Sequence, residues 1–225
     1  MFDICVSTDQ FAYSLSGPIR SRRWTLFTLI LFAATLATTC ERSAIAQDND
    51  QFRRVETPDD WQNDEVLTCD FERDSKGNEL TEGTDVSNAY RSIGLLIAAT
   101  EMGQTPIVES YKVRSGHSAA NGSANDRYKG NHEFTFCVPG KPKMSASITK
   151  FGLYVSYVTP DGTKLQAFDK NGNLVGEIAT TKSGWDFLGF ESKVPITKVR
   201  LVAVVDIDPD YAFDDVQFDL PQNRD

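Results

Sequence analysis

Phe151-Gly152-Leu153-Tyr154-Val155-Ser156-Tyr157-Val158, closed by Pro160-Asp161-Gly162, decides how this chain is read. Phe151, Leu153, Val155 and Tyr157 share one parity, the period of two that sends alternate side chains to one face of a strand. Pro-Asp-Gly then supplies the turn out of it. Immediately downstream, Leu165 to Phe168 and Leu174 to Ile178 flank Asp169-Lys170-Asn171-Gly172-Asn173. Asn-Gly between apolar runs predicts a hairpin, because both central turn residues need a positive φ.

The same grammar extends in both directions. Trp185 to Phe190, Val199 to Val205 and Tyr211 to Phe218 follow. Val199 to Val205 is apolar on both parities apart from Arg200, which predicts a central strand covered on both faces. Upstream lie Val66 to Phe71, Ile93 to Ala99, Ile107 to Val113 and His132 to Val138, with a Gly/Ser/Asn-rich surface loop expected over Gly116 to Asn131. Ser87 to Ala99 is the one stretch with helical potential, and Gly94 weakens it. About nine or ten short strands joined by Gly, Pro and Asn turns predict an all-β fold, an antiparallel β-sandwich of jelly-roll type, over residues 66–219. Residues 220–225 form a short polar tail.

Composition bounds the function. The 225 residues are 40% hydrophobic and 24% charged, a globular balance, with 23 Lys plus Arg against 32 Asp plus Glu. A net charge of −9 opposes nucleic-acid binding, which calls for a basic face.

The N-terminus reads as an address. Arg20, Arg22 and Arg23 precede an uncharged run from Trp24 to Thr39, too short for a spanning helix, and Ala44-Ile45-Ala46 has the small-x-small form of a signal-peptidase site. Residues 1–46 are therefore expected to be a signal peptide directing the protein to the periplasm, cell envelope or exterior. No membrane span is then expected in the mature chain; the alternative is an uncleaved anchor. Ser21-Arg22-Arg23 leaves the twin-arginine route open, and Cys40 a lipoprotein. Cleavage after Ala46 leaves 179 residues and a net charge of −10. Residues 47–65, polar and acid-rich, read as a flexible segment leading into the domain.

Export also changes the cysteine count. Cys5 and Cys40 leave with the signal, so Cys69 and Cys137 remain. Two cysteines in an exported domain predict one disulfide, the alternative being two buried thiols. Phase supports the bridge only in part. Cys69 shares a strand face with Leu67 and Phe71, whereas Cys137 alternates against Phe134 and Phe136.

Several motifs, taken in order, resemble a family. Val66-Leu67-Thr68-Cys69-Asp70-Phe71-Glu72 is followed by Gly83 and by Tyr90-Arg91-Ser92-Ile93-Gly94. Then come Phe168-Asp169-Lys170-Asn171-Gly172, Phe187-Leu188-Gly189-Phe190 and Ala212-Phe213-Asp214-Asp215-Val216-Gln217-Phe218. The series resembles secreted bacterial galactose-binding-like jelly-roll domains, a fold shared by several carbohydrate-binding modules. The resemblance implies first and last strands lying close together near a structural calcium ion. Glu72 and Asp214 would be its ligand positions, with Asp70 and Asp215 beside them. Asp214 also shares parity with Val216 and Phe218, and a carboxylate on an inward row needs a cation or several donors. The alternative is that Asp214 and Asp215 are solvated beyond the sheet rim or accept from backbone amides.

Dedicated catalytic or metal motifs are absent from the sequence. Asp206-Ile207-Asp208-Pro209-Asp210 begins like an EF-hand loop, but Tyr211 stands where glycine must turn and Gln217 where a bidentate glutamate must close it. The two histidines, His117 and His132, sit in no H-E-x-x-H, and there is no G-x-S-x-G or phosphate-cradling loop. A hydrolase using paired acids stays as a weak alternative. Binding is the better expectation, since aromatic faces with fixed polar groups hold sugars. Trp185, Tyr154, Tyr111 and Tyr128 are the candidate platforms, with core or rim packing as the alternative for each. The sequence thus predicts an exported, non-enzymatic domain for carbohydrate or a cell-surface glycan. A structural or adhesive envelope protein without a small ligand is the rival.

Overall fold

Alternation makes strands, and the strands pair into two antiparallel sheets. The structure, a computed structural model, describes residues 50–61, 65–100, 105–110, 113–121, 131–203 and 212–223. In chain order the strands are β1 (Phe52–Val55), β2 (Val66–Cys69), β3 (Leu95–Ala99), β4 (Ile107–Glu109), β5 (Ala119–Asn121), β6 (His132–Val138) and β7 (Lys141–Ser145). They continue as β8 (Ile148–Val158), β9 (Thr163–Phe168), β10 (Leu174–Ala179), β11 (Gly184–Ile196), β12 (Lys198–Ala203) and β13 (Phe213–Asp219). One sheet runs β1-β11-β8-β13-β5-β4, with β2 also on β13; the other runs β10-β9-β12-β6-β3, with β7 on β6. Neighbours such as β8 and β13, or β2 and β13, are remote in sequence, because the chain crosses repeatedly between the sheets. This is a jelly-roll β-sandwich.

The inward rows of the two sheets meet in one aromatic core. Phe134 of β6 lies 5.0 Å from Phe151 of β8 and 5.4 Å from Phe213 of β13, ring to ring, and all three are fully buried. Such tilted and edge-on pairs are the favoured aromatic geometries. The β9–β10 hairpin forms at its Asn-Gly, but only the glycine of the pair takes a positive φ, in a wider loop capped by Asp169. Gly172 has φ +80°, and Asp169 Oδ1 accepts from the N–H groups of Asn171 and Asn173, each at 2.8 Å.

Four expectations are corrected. Residues 47–65 are not flexible throughout, for β1 pairs with β11. Phe52 stacks on Phe190 at 5.0 Å and fills the space beside Gly176, where a Cβ would lie 2.3 Å from its ring. The segment cannot fold alone, but Phe52, Val55 and Trp61 are all buried once a sheet edge is offered. Ser87–Ala99 is no helix: a single 3-10 turn, Arg91–Ile93, runs into Gly94 at φ +102° and then β3. A Cβ on Gly94 would lie 2.6 Å from the Cys137 carbonyl, so the chain turns tightly there. β12 is central as predicted, but only Val199 and Leu201 are fully buried, while its outward side is half-exposed.

The expected disulfide is absent: Cys69 and Cys137 are free, buried thiols. Cys69 faces the core from β2. Cys137, on the opposite phase to Phe136, turns away and donates from Sγ to the Arg91 carbonyl at 3.7 Å. Burial and then the neighbouring Asp70 push the Cys69 thiol well above its ordinary range.

Two outcomes follow for stability and chemistry. Phe52→Ala lowers the unfolding free energy by about 3–5 kcal/mol, read by urea denaturation, because the ring leaves a cavity against Phe190 and Gly176. Without reductant, Cys69 and Cys137 resist alkylation in the native protein and are both alkylated after unfolding, mapped by peptide mass spectrometry.

Candidate functional site

Because the core claims one face of each sheet, a site must be sought on the outward faces, and these differ. On the seven-stranded sheet, Gly152 of β8 stands opposite Gly189 of β11. The bare backbone between them is filled by the Phe187 ring and by Trp61, whose Cη2 would lie 2.9 Å from a Cβ on Gly152. Trp61 and Phe187 meet edge-on at 5.8 Å and are nearly fully buried. This face is plugged.

Next to the plug lies Tyr154, half-buried, 4.9 Å from the Phe187 ring. The Arg114 guanidinium lies 3.3 Å above its centroid, so one face of this candidate platform is already taken. Trp185 is half-buried at the start of β11. Tyr111 and Tyr128 fall outside the described residues, as do residues 1–49, which hold the expected signal peptide. Among the described residues, no ring contact joins the two remaining candidates, Tyr154 and Trp185.

Three of the four acids, Glu72, Asp214 and Asp215, meet the turn before β5, and Asp70 does not. A bulge at Asp215, φ +48°, breaks the parity expected with Val216 and Phe218 and sets Asp214 opposite Tyr154 on the outward side; fully buried there, it accepts at Oδ2 from the N–H groups of Arg114 and Ser115, each at 3.1 Å, and at Oδ1 from Asp215 N–H at 2.8 Å. Asp215 takes Arg114 Nη1 at 2.6 Å and the Ser115 hydroxyl at 2.8 Å. Glu72 Oε1 accepts from His117 N–H at 2.5 Å and Ser118 N–H at 2.8 Å, and exposed Asp70 accepts from Glu72 N–H at 3.1 Å. Calcium takes six to eight oxygens. Here the shell is N–H, O–H and guanidinium, and among the described residues no three His, Cys, Asp or Glu lie close enough to hold a metal ion. The acids do not fit calcium as they stand.

On the six-stranded sheet the outward face is a ladder of paired polar side chains. Glu177, Gln166, Arg200 and Glu133 face one another in register from β10 through β9 and β12 to β6. Glu177 accepts from Lys164 Nζ at 2.5 Å and Gln166 Nε2 at 2.7 Å; Glu133 accepts from Arg200 Nε at 2.9 Å. Lys198 Nζ approaches Glu133 to 3.6 Å. In the adjacent row Phe168 is half-buried, with Lys198 and Arg200 at 5.2 and 5.4 Å from its ring. Sequence reading assigned Phe168 only to a hairpin strand. Its signal was parity: Lys164, Gln166 and Phe168 alternate against Leu165 and Ala167, and so share the outward face.

No family model matches the sequence, and no curated protein does. Solved structures with similarity include the CBM22-1 xylan-binding domain of Paenibacillus barcinonensis Xyn10C, at 12% identity over 70% of this chain and 95% of that one, TM-score 0.39. A second xylan-binding domain from CBM22 has 11% identity over 55% and 86%, TM-score 0.35; a family 29 carbohydrate-binding module has 8% over 68% and 91%, TM-score 0.34. The fold assigned above is a jelly roll. At this distance the strand order above, rather than the likeness, carries that assignment.

Two buried groups give the domain opposing pH responses. Burial, with Asp215 adding to it, pushes the Asp214 carboxyl up to about 7 against its three N–H donors. The folded chain then holds this proton more tightly than the unfolded chain. The resulting stability is full below the ordinary carboxyl range and lost as pH rises through about 7. His132, fully buried, is pushed down to about 3 by desolvation, so its contribution is lost as pH falls below the ordinary histidine range. Asp214→Asn isolates the first. Its stability relative to wild type rises from pH 5 to pH 8 in denaturant titrations.

Proposed function

We propose that this protein is an exported, non-enzymatic carbohydrate-binding domain whose sugar chain lies on the outward face of the six-stranded sheet. The supporting observation is Phe168, set between Lys198 and Arg200 beside a ladder of mutually paired polar side chains. Pyranose rings present an apolar C–H face and a rim of hydroxyls. A half-exposed aromatic takes the first; planar carboxylate, amide and guanidinium groups, already held by neighbours, exchange hydrogen bonds with the second. A sheet keeps these groups in place, so little side-chain freedom is lost on binding. Export rests on the basic, apolar and Ala44-Ile45-Ala46 succession at the N-terminus.

The ion pairs favour binding over hydrolysis, because Glu133 and Glu177 are both engaged by cations rather than left facing an open acid–base pair. The structural envelope reading differs in needing no small ligand. A glycan array on the purified protein separates them. Binding to at least one polysaccharide class is expected, weakened tenfold or more by Phe168→Ala and retained in Trp185→Ala. No binding to any glycan overturns the reading. Loss in Trp185→Ala with Phe168→Ala unaffected moves the site to the other sheet.

A further inference from the structure

The acids that resemblance would give to calcium are occupied by the chain itself, and one of the groups occupying them carries a full positive charge. We propose that Arg114 is the built-in counter-cation of the β2–β13 junction, and that the turn 114–118 replaces a metal's ligand shell, so that the domain folds independently of calcium.

Three contacts fix Arg114. Its Nη1 lies 2.6 Å from Asp215, its guanidinium plane covers Tyr154 at 3.3 Å, and its own N–H donates to buried Asp214. Guanidinium stays protonated at any working pH and prefers this combination of carboxylate and aromatic face. The turn completes the shell. Ser115 N–H joins Arg114 N–H on Asp214, while His117 and Ser118 N–H converge on Glu72. Gly116 makes that approach possible. At φ +60° it brings the backbone so close that a Cβ would lie 2.3 Å from Glu72 Oε1. Glu72 Oε1 and Asp214 Oδ2 each take two N–H donors, which fills both lone pairs of those oxygens. An ion reaches those two oxygens only by displacing the turn that donates to them.

Melting the protein in excess EDTA and in millimolar CaCl2, with calorimetric titration of CaCl2 alone, tests this. Expected are equal Tm values in both buffers, no saturable heat, and a Tm lowered by roughly 3–8 °C in Arg114→Met in either buffer, as loss of a partly buried charge pair implies for a domain of this size. Arg114→Lys, which keeps the charge, falls by less. A Tm raised by calcium or lowered by chelator in wild type overturns the proposal, as does stoichiometric calcium binding or an unchanged Tm in Arg114→Met.

Discussion

Strand β8 sets the rest of the molecule. It pairs with β11 on one side and β13 on the other, and its alternation sends Phe151, Leu153 and Val155 into the core against Phe134 of the facing sheet. Burying side chains of this kind contributes roughly 1.5–3 kcal/mol each. A slip of one residue would exchange that row for Lys150, Gly152 and Tyr154, so the register has no close competitor. Once the inward phase is set, the outward one follows. Gly152 meets Gly189, and Asp214 meets Tyr154.

The two outward faces then diverge for a steric reason. Opposed glycines leave bare backbone on the seven-stranded sheet, and Phe187 and Trp61 close it. The six-stranded sheet has long polar side chains across β10, β9, β12 and β6, which hold each other upright through carboxylate pairs. On the first face Trp61 and Phe187 are packing, while Tyr154 and Trp185 there, like Phe168 on the second, are half-buried. The outward face of the seven-stranded sheet is thus filled with aromatic rings, and that of the six-stranded sheet is polar.

Legibility in the sequence followed how local each cause was. The β9–β10 hairpin, β6 and β8 were readable because turn chemistry and two-residue parity act over a few residues. β1 was not, since its two apolar residues, Phe52 and Val55, matter only against β11, more than a hundred positions away. Nor did the cysteines disclose themselves by number. Parity already set Cys137 against Phe136, and the structure shows that parity, not pairing by count, governs its direction. The acidic junction was half legible. Parity had put Asp214 inward with Val216 and Phe218, but a bulge at Asp215, φ +48°, turns it to the outward side opposite Tyr154, where residues 114–118, distant in sequence, supply amides and a guanidinium.

What the sequence determined by itself was fold class and most strand positions, because these depend on composition, period and local turn residues. Tertiary structure alone decided which aromatics are packing and which face solvent, why the thiols stay apart, and what neutralises the buried acids. Each of those depends on which distant strand arrives opposite, and at what register.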